Sequence, residues 1–377
     1  MRWVFRAGVV LGLAATACTQ DAVGPKSLAN PQATTAQMEA LDTMFDISVL
    51  NSFSAMSGDI APVAPARVAQ LRALAAATNP LNRSSALRPY AQGVATSRML
   101  RELVPTMVNA SSAALFPAEV LGKTFEWNET SDLYEQTART GAPGNGVRFI
   151  LYAVDPFTNR PTEPVVEVGF VDLMDESTSS VARVHVVVAG VGGTPVYVDY
   201  TVSVEQTSAT SVRISVAGYI TKGGPDVLDF RGTLNASVSQ TSAVVTQDVA
   251  FDVNSRDLHI RLWQKITLTE TTVTLRVWFG FRHGSESVVL EGKFEIDGSA
   301  ETAAGVVTVK VNGGLMATCT VDASASSYMQ SCEGADADGL NADEHAALEH
   351  LGNGIDHVAT LTGSLLAPSL NVLGAGF

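Results

Sequence analysis

Apolar and polar residues alternate one by one through the middle of the chain. Val212, Ile214, Val216 and Ile220 alternate with Arg213, Ser215 and Thr221. Leu258, Ile260, Leu262, Ile266 and Leu268 alternate with His259, Arg261, Lys265 and Thr267. Val273, Leu275, Val277, Phe279 and Phe281 alternate with Thr274, Arg276 and Arg282, and Val288, Leu290, Phe294 and Ile296 with Glu291, Lys293, Glu295 and Asp297. Each run has one apolar and one wet face, the signature of an antiparallel sheet with water on one side. The pattern extends from Thr124 to about Asp322. It amounts to about twelve to fourteen runs of roughly ten residues, longer than the usual strand of about five or six. Gly223-Gly224-Pro225 and His283-Gly284-Ser285 stand between runs as turns. Short connections predict a meander, and a sheet of that size must curl, close or split into two layers.

Helical spacing flanks this block. In residues 36–51, Met38, Leu41, Phe45 and Val49 share a stripe. Residues 66–77 place Pro65 at a helix start, with Val68, Leu71 and Ala75 on one face. Residues 96–104 carry Met99, Leu100 and Leu103, and Pro105 ends or kinks that helix. Residues 341–352 form a last helix, capped by Asn341 with Glu344 at the third helical position, and ended by Gly352 and Gly354. The expected fold is mainly β. It is a large antiparallel meander, either a curled sheet or half-barrel or a sandwich, with N-terminal helices and one C-terminal helix packed on it.

The chain has 377 residues, 46% of them hydrophobic and 16% charged, with a formal net charge of -14. It is long enough to bury a sizeable core. It is too apolar for a disordered chain and too sparsely charged for a coiled coil. Its acidity argues against nucleic acid as a partner, because phosphate neutralisation needs clustered Lys and Arg.

The N-terminus reads as a secretory signal: Arg2 and Arg6 precede an apolar, small-residue stretch over 7–17, too short for a bilayer span of about twenty residues. The segment Leu13-Ala14-Ala15-Thr16-Ala17-Cys18 resembles the lipobox of bacterial lipoproteins. That resemblance implies cleavage before Cys18 and acylation of Cys18. Ala15 stands where the family prefers Leu, and Thr19 follows the Cys where Asp retains a lipoprotein at the inner membrane. The implied address is the bacterial cell envelope, lipid-anchored, the outer membrane over the inner. Cys319 and Cys332 then remain as a pair, and outside the cytoplasm they read as one disulfide.

The expected organisation is a signal peptide over 1–17, lipidated Cys18 and a tether over 18–35, and a helical segment over 36–115. An antiparallel β domain follows over 116–322. A disulfide-closed acidic loop, the C-terminal helix and an apolar tail occupy 323–377. Transmembrane β-barrels also alternate along strands of about ten residues and often end in an aromatic. Leu373, Ala375 and Phe377 weakly resemble such an end, but Pro368 and the 7% aromatic fraction speak against it.

One hairpin supplies the most specific candidate chemistry. If residues 257–268 and 273–283 turn between Glu270 and Thr271, Trp263 faces Trp278, Lys265 faces Arg276 and His259 faces Arg282. Arg261 lies two residues from Trp263 on the same face. Trp263, Trp278, Arg261, Lys265, Arg276 and Arg282 are therefore a candidate ligand patch for an anionic or sugar-like group. The plainer reading is ordinary cross-strand stabilisation, with Glu291 opposite Trp278 and Lys293 opposite Arg276.

Asp336, Asp338, Asn341 and Asp343 weakly resemble part of a calcium loop. A first-position Asp is missing, since Gly334 stands there, and His345 occupies the place of the bidentate Glu. An acidic turn feeding a helix N-terminus is the simpler account. His345, Glu349, His350 and His357 lack the two-His spacing of a zinc protease helix. No P-loop, dinucleotide fingerprint or Gly-x-Ser-x-Gly elbow is present, so no cofactor is expected. An enzyme remains an open class, because catalytic triads are spatial. The expectation is a non-enzymatic binding or structural module with a protein or glycan partner. The alternative is a carrier for lipid or another apolar ligand, by analogy with half-barrel lipoprotein carriers.

Overall fold

The structure, a computed structural model, describes residues 27–45, 47–56, 115–297, 302–324, 328–336, 338–352, 369 and 372–373. The signal segment, Cys18, the helices expected over 66–77 and 96–104, His357 and the final aromatic lie outside them.

Two helices open the described chain, α1 (Pro31–Phe45) and α2 (Ser48–Met56). Fifteen strands follow, beginning with the hairpin β1 (Lys123–Asn128) and β2 (Leu133–Thr137). Next come β3 (Gly146–Tyr152), β4 (Glu167–Asp175), β5 (Val181–Gly190), β6 (Val196–Ser208), β7 (Ser211–Thr221) and β8 (Val227–Val238). The block of clearest alternation is β9 (Ala243–Val253), β10 (Leu258–Leu268), β11 (Thr272–His283) and β12 (Glu286–Asp297). Last are β13 (Thr302–Val311), β14 (Gly314–Ser324) and β15 (Tyr328–Gly334), then α3 over 342–352.

All fifteen strands belong to one sheet, in which β3 to β15 run as an uninterrupted antiparallel meander. Only the opening departs from this, because β1 pairs parallel to β3 and leaves β2 on the edge. The sheet is curled but not closed. The half-barrel form of the expectation therefore stands, and the sandwich does not. The barrel comparison fails too. Leu373 is helical and buried, and the apolar face of the strands points inward rather than outward. Both edge strands are short, five residues in β2 and seven in β15, which limits the unpaired backbone offered to another chain.

The core fills the concave side. Val184, Val186 and Val188 on β5, Val198 and Val202 on β6, and Leu258 and Leu262 on β10 are fully or almost fully buried. Helix α2 packs across β3, β4 and β5 through Val49, Leu50, Phe53 and Met56. Gly169 on β4 admits it closely, since a Cβ there would lie 2.9 Å from Val49 Cγ2. Ala347 and Leu351 of α3 and the segment at Ser369, Val372 and Leu373 complete the cover. Tyr200 reaches from β6 to share a 2.5 Å hydrogen bond with Ser369, and burial pushes its phenol up. A polar pair interrupts the core: Gln264 donates weakly to Gln247 across β10 and β9 at 3.5 Å, and Gln264 Oε1 has no partner.

Two expectations need correction. The stripe assigned to one helix over 36–51 is two helices, because the carbonyl of Ile47 starts a second hydrogen-bond ladder to Leu50 and Asn51. The first helix begins at Pro31, inside the stretch expected as a tether over 18–35. Asn30 caps α1 by accepting from the Ala33 amide at 3.0 Å, and Pro31 takes the first helical position, where its missing N–H costs nothing. The expected Cys319–Cys332 disulfide is present, with Cys332 in β15 directly opposite Cys319 on β14.

Candidate ligand patch on the wet face

The hairpin register is the one the turn position implied. Trp263 pairs with Trp278, Lys265 with Arg276 and His259 with Arg282. On the next strand Glu291 lies opposite Trp278 and Lys293 opposite Arg276. The strands are held by inward-facing Leu262, Ile266, Leu275 and Phe279, all buried, so the six patch residues are forced to the wet face.

Charge on this face is mostly matched. Arg261 donates twice to Asp248 on β9, at 2.9 and 2.7 Å, and that carboxylate raises its pKa. Arg282 lies 3.5 Å from Asp257, which also reaches His259 at 3.2 Å. His259 meets Asp252 on its other nitrogen. Lys293 pairs with Glu295 at 2.6 Å, which holds that carboxyl below its ordinary range, and Lys310 takes Glu291 at 2.8 Å.

Lys265 and Arg276 are different. Among the described residues neither has a carboxylate within ion-pair distance, although they face each other directly. Lys293, opposite Arg276, adds a third cation to the row. The nearby carboxylate on β12, Glu291, stands in the neighbouring row as expected and is taken by Lys310. Like charges directly opposite one another in a sheet are destabilising. The row continues to Val306, which is exposed.

Beside the cations lie the indoles, both half-buried. Trp278 lies over Gly280 of its own strand: a Cβ there would stand 2.4 Å from Cη2, 2.9 Å from Cζ3 and 3.1 Å from Cζ2. Gly280 therefore leaves room for the outer end of the benzo ring to settle against its own strand. Sequence reasoning overlooked Gly280, although its signal is present: a Gly two residues after a Trp shares that Trp's face of the strand. The ring–ring contacts among the described residues lie elsewhere, at Phe125, Trp127, Tyr134 and Phe149 on β1 to β3 and at Tyr200, Phe230 and Phe251 farther along the core.

The acidic turn before α3 does not assemble as a calcium loop. Asn341 and Glu344 are spent on each other's backbone: the Asn341 amide donates to Glu344 Oε2 at 3.0 Å, and the Glu344 amide to Asn341 Oδ1 at 2.9 Å. This is the expected capping box. Asp343 accepts from Gln32 of α1, while Asp336 and Asp338 stay exposed. Among the described residues no three His, Cys, Asp or Glu side chains come together as a metal-binding group. Nor is any helix among them long and apolar enough to cross a membrane, which says nothing of strands.

No family model matches the chain, and neither a curated protein nor a solved structure matches it. Any functional reading therefore rests on the geometry.

Proposed function

We propose that this is a lipid-anchored protein of the bacterial cell envelope, on the outer membrane, and that it works as a non-enzymatic binding module. Its ligand is anionic and sugar-like, held on the wet face by Trp263, Trp278, Lys265 and Arg276. The observation that carries this reading is the like-charged Lys265–Arg276 row, without an ion-pair partner among the described residues, beside an indole whose benzo ring reaches over Gly280. Most cations among the described residues are paired, so leaving these two opposed puts local electrostatic strain on the sheet, which a bound anion relieves. Stacking or cation–π contact on an exposed indole contributes about 0.5–1 kcal/mol, and each charged hydrogen bond about 1.5–3 kcal/mol.

Dextran sulfate and neutral dextran are suitable probes, titrated against the purified chain while tryptophan emission is followed. The sulfated glycan is expected to quench and the neutral one to bind far more weakly. Trp278→Ala and Arg276→Glu each weaken the sulfated complex at least about tenfold. Unchanged affinity in both Trp263→Ala and Trp278→Ala sinks the reading. The carrier alternative needs a void between sheet and helices, and the full burial of Phe53, Leu173, Val184 and Val186 at that contact gives it little support. Native mass spectrometry separates the two, since an added lipid mass would restore the carrier.

A further inference from the structure

The two ends of the half-barrel are not alike. Because the meander alternates direction, the C-terminal ends of all odd-numbered strands share one rim. This odd rim holds the tip of the β1–β2 hairpin, the loops leaving β3, β5, β7, β9, β11 and β13, and the end of β15. Six large apolar side chains are exposed among the described residues, and five of them lie here: Leu133, Phe157, Val166, Val191 and Leu315. The sixth, Val306, is on the wet face. Phe157 is 94% exposed, at the tip of the loop after β3.

That tip is built to stand out. Asp155 Oδ1 accepts from the amides of Phe157 and Thr158 at 2.7 and 3.0 Å, and the Asn159 amide donates to the Asp155 carbonyl. Arg160 ties the loop to Asp132 on the neighbouring hairpin tip, next to Leu133. Leu133, Phe157, Val166 and Val191 belong to ends of β2 to β5 or their loops, a stretch about 20 Å wide at the usual strand spacing.

The N-terminal chain reaches the body at the same rim. Leu28 is buried, and the Ala29 amide donates to Glu286 at 2.6 Å, where β12 leaves that rim. Only nine residue steps separate Cys18 from Ser27, the first described residue. Nine steps span at most about 30 Å even fully extended. An acyl group on Cys18 would therefore hold the body with this rim nearest the bilayer.

We infer that the odd rim is a second membrane contact, in which Phe157, with Leu133, Val166 and Val191 around it, enters the lipid interface and sets the half-barrel upright on the membrane. The inference rests on the lipid-anchor reading for its orientation, and on the clustering of apolar side chains for its contact. Asp132, Asp155, Glu163, Asp226, Asp257 and Glu286 outnumber Arg160, Lys222 and Arg256 along this rim, so the matching surface is a zwitterionic bilayer rather than an anionic one. Upright on this rim, the protein carries Trp278 about 17 Å above its foot, five residues up β11 from His283. The wet-face patch would then look sideways along the membrane.

The test uses the full acylated chain in phosphatidylcholine and phosphatidylethanolamine vesicles. A single cysteine carrying an environment-sensitive fluorophore is placed by Phe157→Cys on the odd rim or Thr241→Cys on the opposite rim. The expected result is blue-shifted emission, quenched by brominated lipid, at position 157 and water-like emission at 241. In the unacylated Cys18→Ser chain, adding Phe157→Ser and Val191→Ser lowers vesicle partitioning by at least about tenfold. Water-like emission at 157 in a chain whose mass shows the acyl group overturns the rim contact and leaves the anchor standing. A chain that carries no acyl group overturns the anchor. The probe on added vesicles then decides the rim alone, a shift supporting it and no shift overturning it.

Discussion

Gly280→Ala tests whether Trp278 is a platform or an ordinary surface residue. The added Cβ would stand 2.4 Å from Cη2 and within 3.1 Å of two more ring atoms, so the indole must lift away from the sheet. Lifting uncovers one face of the benzo ring, about 70 Å² of apolar surface, worth about 1.5–2 kcal/mol at the usual coefficient. Against this, replacing a mid-strand Gly by Ala stabilises by about 0.5–1 kcal/mol. The net expectation is a loss of about 1 kcal/mol in urea unfolding followed by circular dichroism, with tryptophan emission moving to the red. In a Trp278→Ala background no ring is in the way, and the same substitution should stabilise by about 0.5–1 kcal/mol. The sign change, a coupling of about 1.5–2 kcal/mol in the double-mutant cycle, is the diagnostic. Equal effects in both backgrounds, or an unmoved emission maximum, would refute the packing of the indole against Gly280.

Three further outcomes follow from other parts of the sheet. Removing the Cys319–Cys332 bond with paired Ala substitutions should cost about 3 kcal/mol for a closed loop of this length; a much smaller loss would mean that β15 frays independently of the rest. Gln264→Leu alone should destabilise by about 1–3 kcal/mol by stranding Gln247, whereas Leu at both positions should recover most of the loss; an equal deficit in the double variant would contradict this. Hydrogen bonds from Arg256 and Ser255 hold the Asp226 carboxyl below its ordinary value. A depressed folded-state pKa gives stability that is complete above the unfolded value near pH 4 and lost as pH falls through the folded one. The stability gap between wild type and Asp226→Asn should therefore be level at neutral pH and close in acid, and a gap that widens in acid would reverse the assignment.

Much of this architecture is legible in the alternation alone, because one buried face per strand fixes both strand and register. The hairpin at Thr269–Thr272 shows how far that goes: strict alternation excludes any one-residue slip, which would put Leu262 or Phe279 on the wet face, and the short even turn chooses among the pairings left. The missing elements lack that signal. Residues 328–334 are short and carry no clean alternation, so β15 is invisible until Cys332 is seen against Cys319. Helix α1 begins seven residues before Met38, the first position of the apolar stripe, at an Asn-Pro step that reads as a linker unless its capping role is recognised. In the patch, position was legible but pairing was not. Which carboxylate takes which cation depends on diagonal neighbours, so Arg261 goes to Asp248 and Glu291 to Lys310 rather than to the residue opposite.

The two rims carry a further regularity that a linear reading hides. Once strands are known to alternate, every second turn belongs to the same end. Turns on one rim are Thr207-Ser208-Ala209-Thr210, Ser239-Gln240-Thr241-Ser242 and Thr269-Glu270-Thr271-Thr272. Two of these close on their own hydroxyls: Ser239 Oγ accepts from the amides of Thr241 and Ser242, and Thr269 Oγ1 from those of Thr271 and Thr272. On the opposite rim Asp257, Asn312, Gly223, Gly284 and Gly313 take positive φ. The division is not complete, since Gly122 and Gly141 take positive φ on the first rim, before β1 and between β2 and β3. Exposed apolar side chains divide more sharply, with five of the six among the described residues on the rim where the N-terminal chain arrives. Turn geometry asks for no such placement, and the proposed bilayer contact at that rim accounts for it.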